Sequence, residues 1–325
     1  MTTLEDYLEM NAERIDKALH RYFGDVHGDL FRASAHLLLA GGKRLRPAVV
    51  ILAADAVRKG GSSDDLLPAA LSLELTHNFT LIHDDIMDGD VVRRGVPTVH
   101  TVWDEPTAIL AGDVLYAKAF EFICLSEATD AAKIRAVKML ARTCTDICDG
   151  QSMDMRSRSA TTFWRWSTWR WSARRPACST GGHPPPSAGS LPERTPVQAD
   201  ALYQYGGVNS GIAFQIQDDL IDLLASSDAS GKDRASDIRE GKQTLIAIRA
   251  REKGIDLAPP YRRRLSGAEI DDLTARLREA GVIDEVRAVA VERAAVAKEA
   301  LSVIPDSEEK RLLGDIADFF IARGN

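Results

Sequence analysis

Leu81-Ile82-His83-Asp84-Asp85-Ile86-Met87-Asp88-Gly89-Asp90-Val91-Val92-Arg93-Arg94 sets three acids in a D-D-x-x-D pattern inside an apolar run and follows them with a fourth, Asp90, and two arginines. Read as a helix, it projects Asp84 and Asp88 from one face, four residues apart. Like charges at that spacing cost a helix about 0.2–0.5 kcal/mol, and Asp is itself a poor helix former. Taken alone, such a pair is usually a solvated face. A second copy stands far downstream, Phe214-Gln215-Ile216-Gln217-Asp218-Asp219-Leu220-Ile221-Asp222, again apolar around a D-D-x-x-D pattern. Two copies make a shared cation the better explanation.

The surrounding chain predicts an all-α fold. Apolar residues recur at helical spacing over 3–22, 29–40, 68–88, 107–126, 130–155, 198–224, 244–252, 267–280, 282–303 and 307–323, and strand-like alternation is scarce. Gly41-Gly42 stops one helix, and Pro47 suits the first residue of the next. Lys43, Arg44 and Arg46 therefore fall at a helix N-terminus, where backbone N–H groups and the dipole already favour an anion. The alternatives there are a solvated basic turn and a phosphate site. His77 reads either as a core histidine or as a ligand.

The chain has 325 residues, 45% hydrophobic and 27% charged, the make-up of an ordinary globular protein with room for a large core. A formal charge of −7 argues against nucleic acid as the main partner. The absence of a run of about 18 apolar residues predicts no membrane span. Met1-Thr2-Thr3-Leu4-Glu5-Asp6 leads straight into a charged amphipathic segment with no secretory signal, and Cys124, Cys144, Cys148 and Cys178 lack metal spacing. Both features predict a cytoplasmic protein.

Residues 156–196 break the pattern. Four of the five tryptophans and six of the thirteen prolines fall there, with seven arginines, no lysine, no aspartate and one glutamate, Glu193. A linker does not explain the tryptophans, and a nucleic-acid stacking surface has no support elsewhere in the chain. We read the segment as translated out of frame. Trp has one codon, and reading one base early turns Ala160 to Thr180 into an acidic amphipathic helix with Lys-Lys-Thr across Ala173–Pro176.

Hard-oxygen cations such as Mg²⁺ take one or two carboxylates together with substrate phosphates and waters. Two acidic clusters and a set of basic residues thus describe a site for two phosphorylated substrates. No P-loop and no Cys/His ligand spacing is present to suggest a nucleotide machine or zinc.

Together, Gly41-Gly42-Lys43-Arg44-Leu45-Arg46-Pro47, His77, the two acidic motifs, Arg93-Arg94, Gly150-Gln151, Gln215 and Gly231-Lys232 to Lys242 resemble the trans-isoprenyl diphosphate synthases of the polyprenyl synthetase family. The resemblance covers nearly all of the chain except 156–196. It implies one isoprenoid-synthase domain over 1–325, an all-helical bundle around a central cavity, and usually a homodimer. It implies a short-chain prenyltransferase joining an allylic diphosphate (dimethylallyl, geranyl or farnesyl) head-to-tail to isopentenyl diphosphate. By this likeness Asp84, Asp88, Asp218 and Asp222 hold Mg²⁺, and loss of the allylic diphosphate leaves a carbocation. Lys43, Arg46, His77 and Arg94 hold isopentenyl diphosphate; Arg93, Gln215, Lys232 and Lys242 hold the allylic diphosphate. Phe79, five residues and about 7.5 Å of helix before Asp84, reads as core packing or, by the resemblance, as the pocket floor that limits the product to C20, with C15 next. The family's Lys-Thr pair is missing from 156–196, so the polypeptide as written is expected to be impaired. A class I terpene cyclase shares the first acidic motif but not the second, and a silent subunit of a heteromer is the alternative from outside catalysis.

Overall fold

Local capping chemistry starts several of the helices. The structure, a computed structural model, describes residues 2–58, 63–157, 196–224, 234–257 and 265–322. Helix α1 (Leu4–Phe23) begins where the Thr3 side chain accepts from the Asp6 N–H, with acids in its first turn and His20 and Arg21 in its last. Helices α2 (Asp29–Leu39) and α3 (Leu45–Val57) follow. Then comes α4 (Leu67–Asp88), which has Pro68 in its first turn and ends on Gly89 at φ 70°. A two-stranded hairpin, β1 (Val92–Arg93) against β2 (Val96–Pro97), leads through the short α5 (Val99–Val102) to α6 (Glu105–Leu125), which Asp104 caps. Helix α7 (Asp130–Ser157) completes the first half.

Beyond the undescribed 158–195 run α8 (Pro196–Leu202), a π-helical segment (Tyr203–Ser210), α9 (Gly211–Leu224), α10 (Ser236–Arg239), α11 (Leu245–Glu252), α12 (Gly267–Glu279), α13 (Val282–Ala300) and α14 (Glu308–Ala322). Ser266 and Glu269 form a reciprocal capping box at the start of α12. The described residues are thus helical apart from loops and one hairpin, and the all-α expectation holds. None of the described helices is long and apolar enough to cross a membrane.

The chain divides into two compact units, one within 2–142, 196–202 and 303–313, the other within 143–157, 203–302 and 314–322. In the first, Leu19, Leu38, Leu52, Leu71, Leu75 and Leu115 are essentially inaccessible, each burial contributing about 1.5–3 kcal/mol. Its closest packing sets α4 against α6 at Gly112, where a Cβ would stand 2.3 Å from His83 Nε2. Glycine is what lets α4 approach that near. In the second unit, Leu220, Leu223, Ile246, Ile270, Leu277 and Val286 form the core that carries α9.

Two local readings need correction. Helix α3 starts at Leu45, not Pro47, because Arg44 takes a left-handed conformation (φ 46°) and becomes its N-cap; Pro47 still lies in the first turn, where its missing N–H costs nothing. The stretch 198–224 is not one α-helix, because the π segment interrupts it around Gly206-Gly207. The segment 156–196 with its out-of-frame reading falls almost wholly outside the described residues, as does Lys232.

Candidate active site

The last turns of α4 divide the labour among the first three acids. Asp84 and Asp88 are partly exposed, whereas Asp85 between them is inaccessible. Asp85 takes a hydrogen-bonded ion pair from Arg93 Nε, and Arg93 Nη2 reaches Asp90 at 3.1 Å. The middle acid thus holds the first arginine of the hairpin, and the outer two keep a face toward solvent. Arg94 and Gly95, the turn residues of the hairpin, both have positive φ (52° and 77°), the mark of a type I′ turn. That turn sends Arg94 back over the Gly41-Gly42 loop, where its Nη1 donates to the carbonyls of Gly41 (2.8 Å) and Leu37 (3.3 Å).

These segments gather positive charge around His77. Burial first, and then the guanidiniums of Arg46, Arg94, Arg93 and Arg44, hold its imidazole well below the ordinary range. The ring is therefore neutral at pH 7, able to donate from one nitrogen and accept at the other. Burial lowers Arg94 as well, against the pull of Glu74, but a guanidinium stays charged. Lys43 is exposed and Arg46 partly exposed. Arg44 differs from both, because its side chain is 1% exposed and turned inward to Asp16, Glu74 and the Leu38 carbonyl. The basic turn therefore offers two cations to a ligand, not the three its sequence suggests.

Phe79 is buried, its ring edge-on to Tyr116 of α6 (centroids 5.3 Å apart) and to His83 (5.8 Å). Tyr116 in turn meets Phe120 at 5.1 Å. Edge-to-face pairs of this kind are worth about 0.5–1.5 kcal/mol beyond area burial. The wall that holds Phe79 is thus built from two helices.

In the second unit the same division recurs. Asp218 is partly exposed, whereas Asp219 is buried and accepts from Gln215 Nε2 at 2.8 Å. Asp222 has both oxygens engaged, Oδ1 with the Ser236 N–H (3.2 Å) and hydroxyl (2.6 Å), Oδ2 with the Asp237 N–H (3.1 Å). Burial, and then the neighbouring Asp237, raise its carboxyl to about 6. Lys242 Nζ pairs with Asp237 (3.0 Å) and Glu240 (2.9 Å). Asp222 thereby fixes the turn that carries Asp237 and, through it, Lys242.

Within each unit the partly exposed carboxylates suit a hard divalent cation. Among the described residues, no group of three or more His, Cys, Asp or Glu side chains forms a metal cage. Mg²⁺ needs none, since it is commonly held by one or two carboxylates with phosphate oxygens and waters making up the octahedron. Asp84 and Asp88 in the first unit and Asp218 in the second fit that donor set; Asp222, already accepting from a hydroxyl and two amides, has less to offer a cation.

Sequence reasoning passed over Glu74, Tyr116 and the roles of Asp85 and Asp219. For Glu74 the only available signal was its i, i+3 offset from His77, which does not say that the carboxylate is buried.

The Polyprenyl synthetase family model matches residues 28–265. The geranylgeranyl diphosphate synthase of Methanosarcina mazei is 40% identical over 99% of both chains. The geranylfarnesyl diphosphate synthase of Natronomonas pharaonis is 42% identical over 90% of both. Among solved structures, the geranylgeranyl pyrophosphate synthetase of the archaeon Geoglobus acetivorans superposes with a TM-score of 0.86 at 38% identity, covering 97% of this chain and 99% of that one.

Proposed function

The chain belongs to the polyprenyl synthetase family, and from that premise we propose a short-chain trans-prenyltransferase that condenses an allylic diphosphate with isopentenyl diphosphate to give geranylgeranyl diphosphate. One observation carries the reading at the level of residues. A neutral imidazole, His77, lies in the field of four guanidiniums on the same helix as the partly exposed Asp84 and Asp88. Such a helix serves an anion at one level and a cation-bound anion at another.

In this reading Lys43, Arg46, His77 and Arg94 bind the diphosphate of isopentenyl diphosphate. His77 can donate to a phosphate oxygen without itself carrying charge. Arg93, steadied by Asp85 and Asp90, takes the allylic diphosphate with Gln215, Lys232 and Lys242. Asp84, Asp88 and Asp218 would hold Mg²⁺, with Asp222 acting at least through the Ser236–Asp237 turn. A cation held there would supply positive charge against that developing on the departing diphosphate. The allylic C–O bond breaks, the isopentenyl double bond supplies the electrons of the new C–C bond, and a proton leaves, with the released diphosphate as its acceptor. Arginines already oriented by buried carboxylates need little reorganisation as that charge appears.

Phe79, braced by Tyr116, closes the pocket and sets a C20 product. The reading extends to one synthase domain over 1–325 working as a homodimer, which the exposed Ile109 and Leu110 on α6 support. Incubation with isopentenyl diphosphate, each allylic starter and Mg²⁺, followed by product sizing, tests the activity; absence of any chain extension by a frame-corrected chain refutes it. The same assay run beside the chain as written tests the reading of 156–196. Equal turnover of the two refutes impairment.

A further inference from the structure

Glu74 lies on α4 three residues before His77, with its side chain 3% exposed. A carboxylate at that depth carries a desolvation cost that only well-placed partners offset. Its Oε1 accepts from Arg44 Nη1 at 2.7 Å and from Asn78 Nδ2 at 3.3 Å, and Arg94 Nη2 stands 4.0 Å away. The two arginines come from different segments, Arg44 from the Gly41–Arg44 loop and Arg94 from the hairpin turn. Arg44 cannot meet substrate, since its remaining nitrogens bind Asp16 Oδ1 (2.7 Å) and the Leu38 carbonyl (2.6 Å). Arg94 crosses the same loop, close enough that a Cβ on Gly42 would lie 3.4 Å from its guanidinium. One buried anion therefore lies where the basic loop and the basic turn converge.

We propose that Glu74 is the positioning residue of the isopentenyl diphosphate site, fixing through Arg44 and Arg94 the geometry in which Lys43, Arg46 and Arg94 meet the diphosphate. The inference rests on the site assignment made above. It is separable from simple electrostatics by sign. A negative charge beneath an anion site opposes the ligand, so if charge were all that mattered, removing it would tighten binding. A positioning role predicts the reverse.

The test is isothermal titration calorimetry on the full chain, with isopentenyl diphosphate and, separately, an allylic diphosphate with Mg²⁺, neither of which needs turnover. In Glu74→Gln, which keeps shape and one acceptor oxygen, the Kd for isopentenyl diphosphate is expected to rise roughly tenfold, the scale of coupling within one hydrogen-bonded network. The Kd for the allylic diphosphate should stay within about twofold, whereas general loosening of the fold would move both. Because part of the Glu74 effect runs through Arg94 and part through Arg44, Glu74→Gln combined with Arg94→Lys should weaken binding by less than the product of the two single effects. A Kd for isopentenyl diphosphate that falls or stays put overturns the proposal, as does an equal rise for both ligands. Should Glu74→Gln not fold, Glu74→Asp, which withdraws the carboxylate by one methylene, must show the same selective rise; wild-type binding overturns the proposal. If Arg94→Lys and Lys43→Gln both leave that Kd unchanged, the site assignment itself has failed, and Glu74 falls with it.

Discussion

Replacing Arg44 with methionine should destabilise the protein far more than a surface arginine substitution does. The structure supplies the terms. Arg44 is 1% exposed and contributes two ion pairs and one carbonyl contact. Asp16 is 38% exposed, so water replaces most of what it loses, at about 0–1 kcal/mol. Glu74, 3% exposed, is left as a buried charge deprived of its nearest cation. Breaking a buried pair on one side typically costs about 3–5 kcal/mol, whereas replacing both partners by apolar side chains of similar volume is often neutral or better. Arg44→Met should therefore lose about 3–5 kcal/mol, and the Arg44→Met/Glu74→Met double variant should recover at least roughly 2 kcal/mol of it. At about 2–4 °C per kcal/mol for a unit of 150–250 residues, the single variant melts roughly 6–20 °C lower. Calorimetry with circular dichroism as a second probe measures both. A single variant within about 1 kcal/mol of wild type, or a double variant no more stable than the single, refutes the reasoning.

Three further outcomes follow from the site. Asp84→Asn and Asp88→Asn should each lower condensation by roughly 100-fold or more, while Asp85→Asn should act chiefly by releasing Arg93; equal stability loss in all three variants contradicts that division. Phe79→Ala should shift the product toward longer chains, read by chromatography of the dephosphorylated alcohols, and an unchanged product length removes Phe79 from the floor. His77 gives a pH signature. Its folded pKa lies below the unfolded value near 6.5, so below that pH the unfolded chain binds a proton that the folded chain refuses. The stability contributed above pH 6.5 is then lost as pH falls toward the folded pKa, by at most about 1.4 kcal/mol per unit. His77→Gln should flatten melting temperature against pH between about 5 and 6.5, and an unaltered slope assigns the effect elsewhere.

The helices were legible because their signals are local. Pro68 and the Gly41-Gly42 stop can be read without tertiary context, and so can the apolar spacing that places α4 and α9. The acidic motifs were legible as motifs because repetition far along the chain is itself a signal. What stayed hidden depends on which way a side chain faces. Asp84 and Asp85 differ by one step along the helix, yet packing buries one and leaves the other in reach of solvent. Arg44 looks like its neighbours until its left-handed backbone turns it toward Glu74. Tyr116 has no motif at all; its meeting with Phe79 exists only once α6 lies on α4.

The π segment at Tyr203–Ser210 has a consequence for register. Widened turns absorb surplus residues, so a helical wheel drawn straight from α8 through α9 places every later side chain at the wrong angle. Elsewhere in an α-helix, removing one residue swings all that follows by about 100°, enough to carry Asp218 off its face. At Gly206-Gly207 the surplus is already present, and losing one of the pair tightens a wide turn instead. Natural or engineered length variation in this helix should therefore collect there, upstream of an acidic cluster whose bearing it leaves intact.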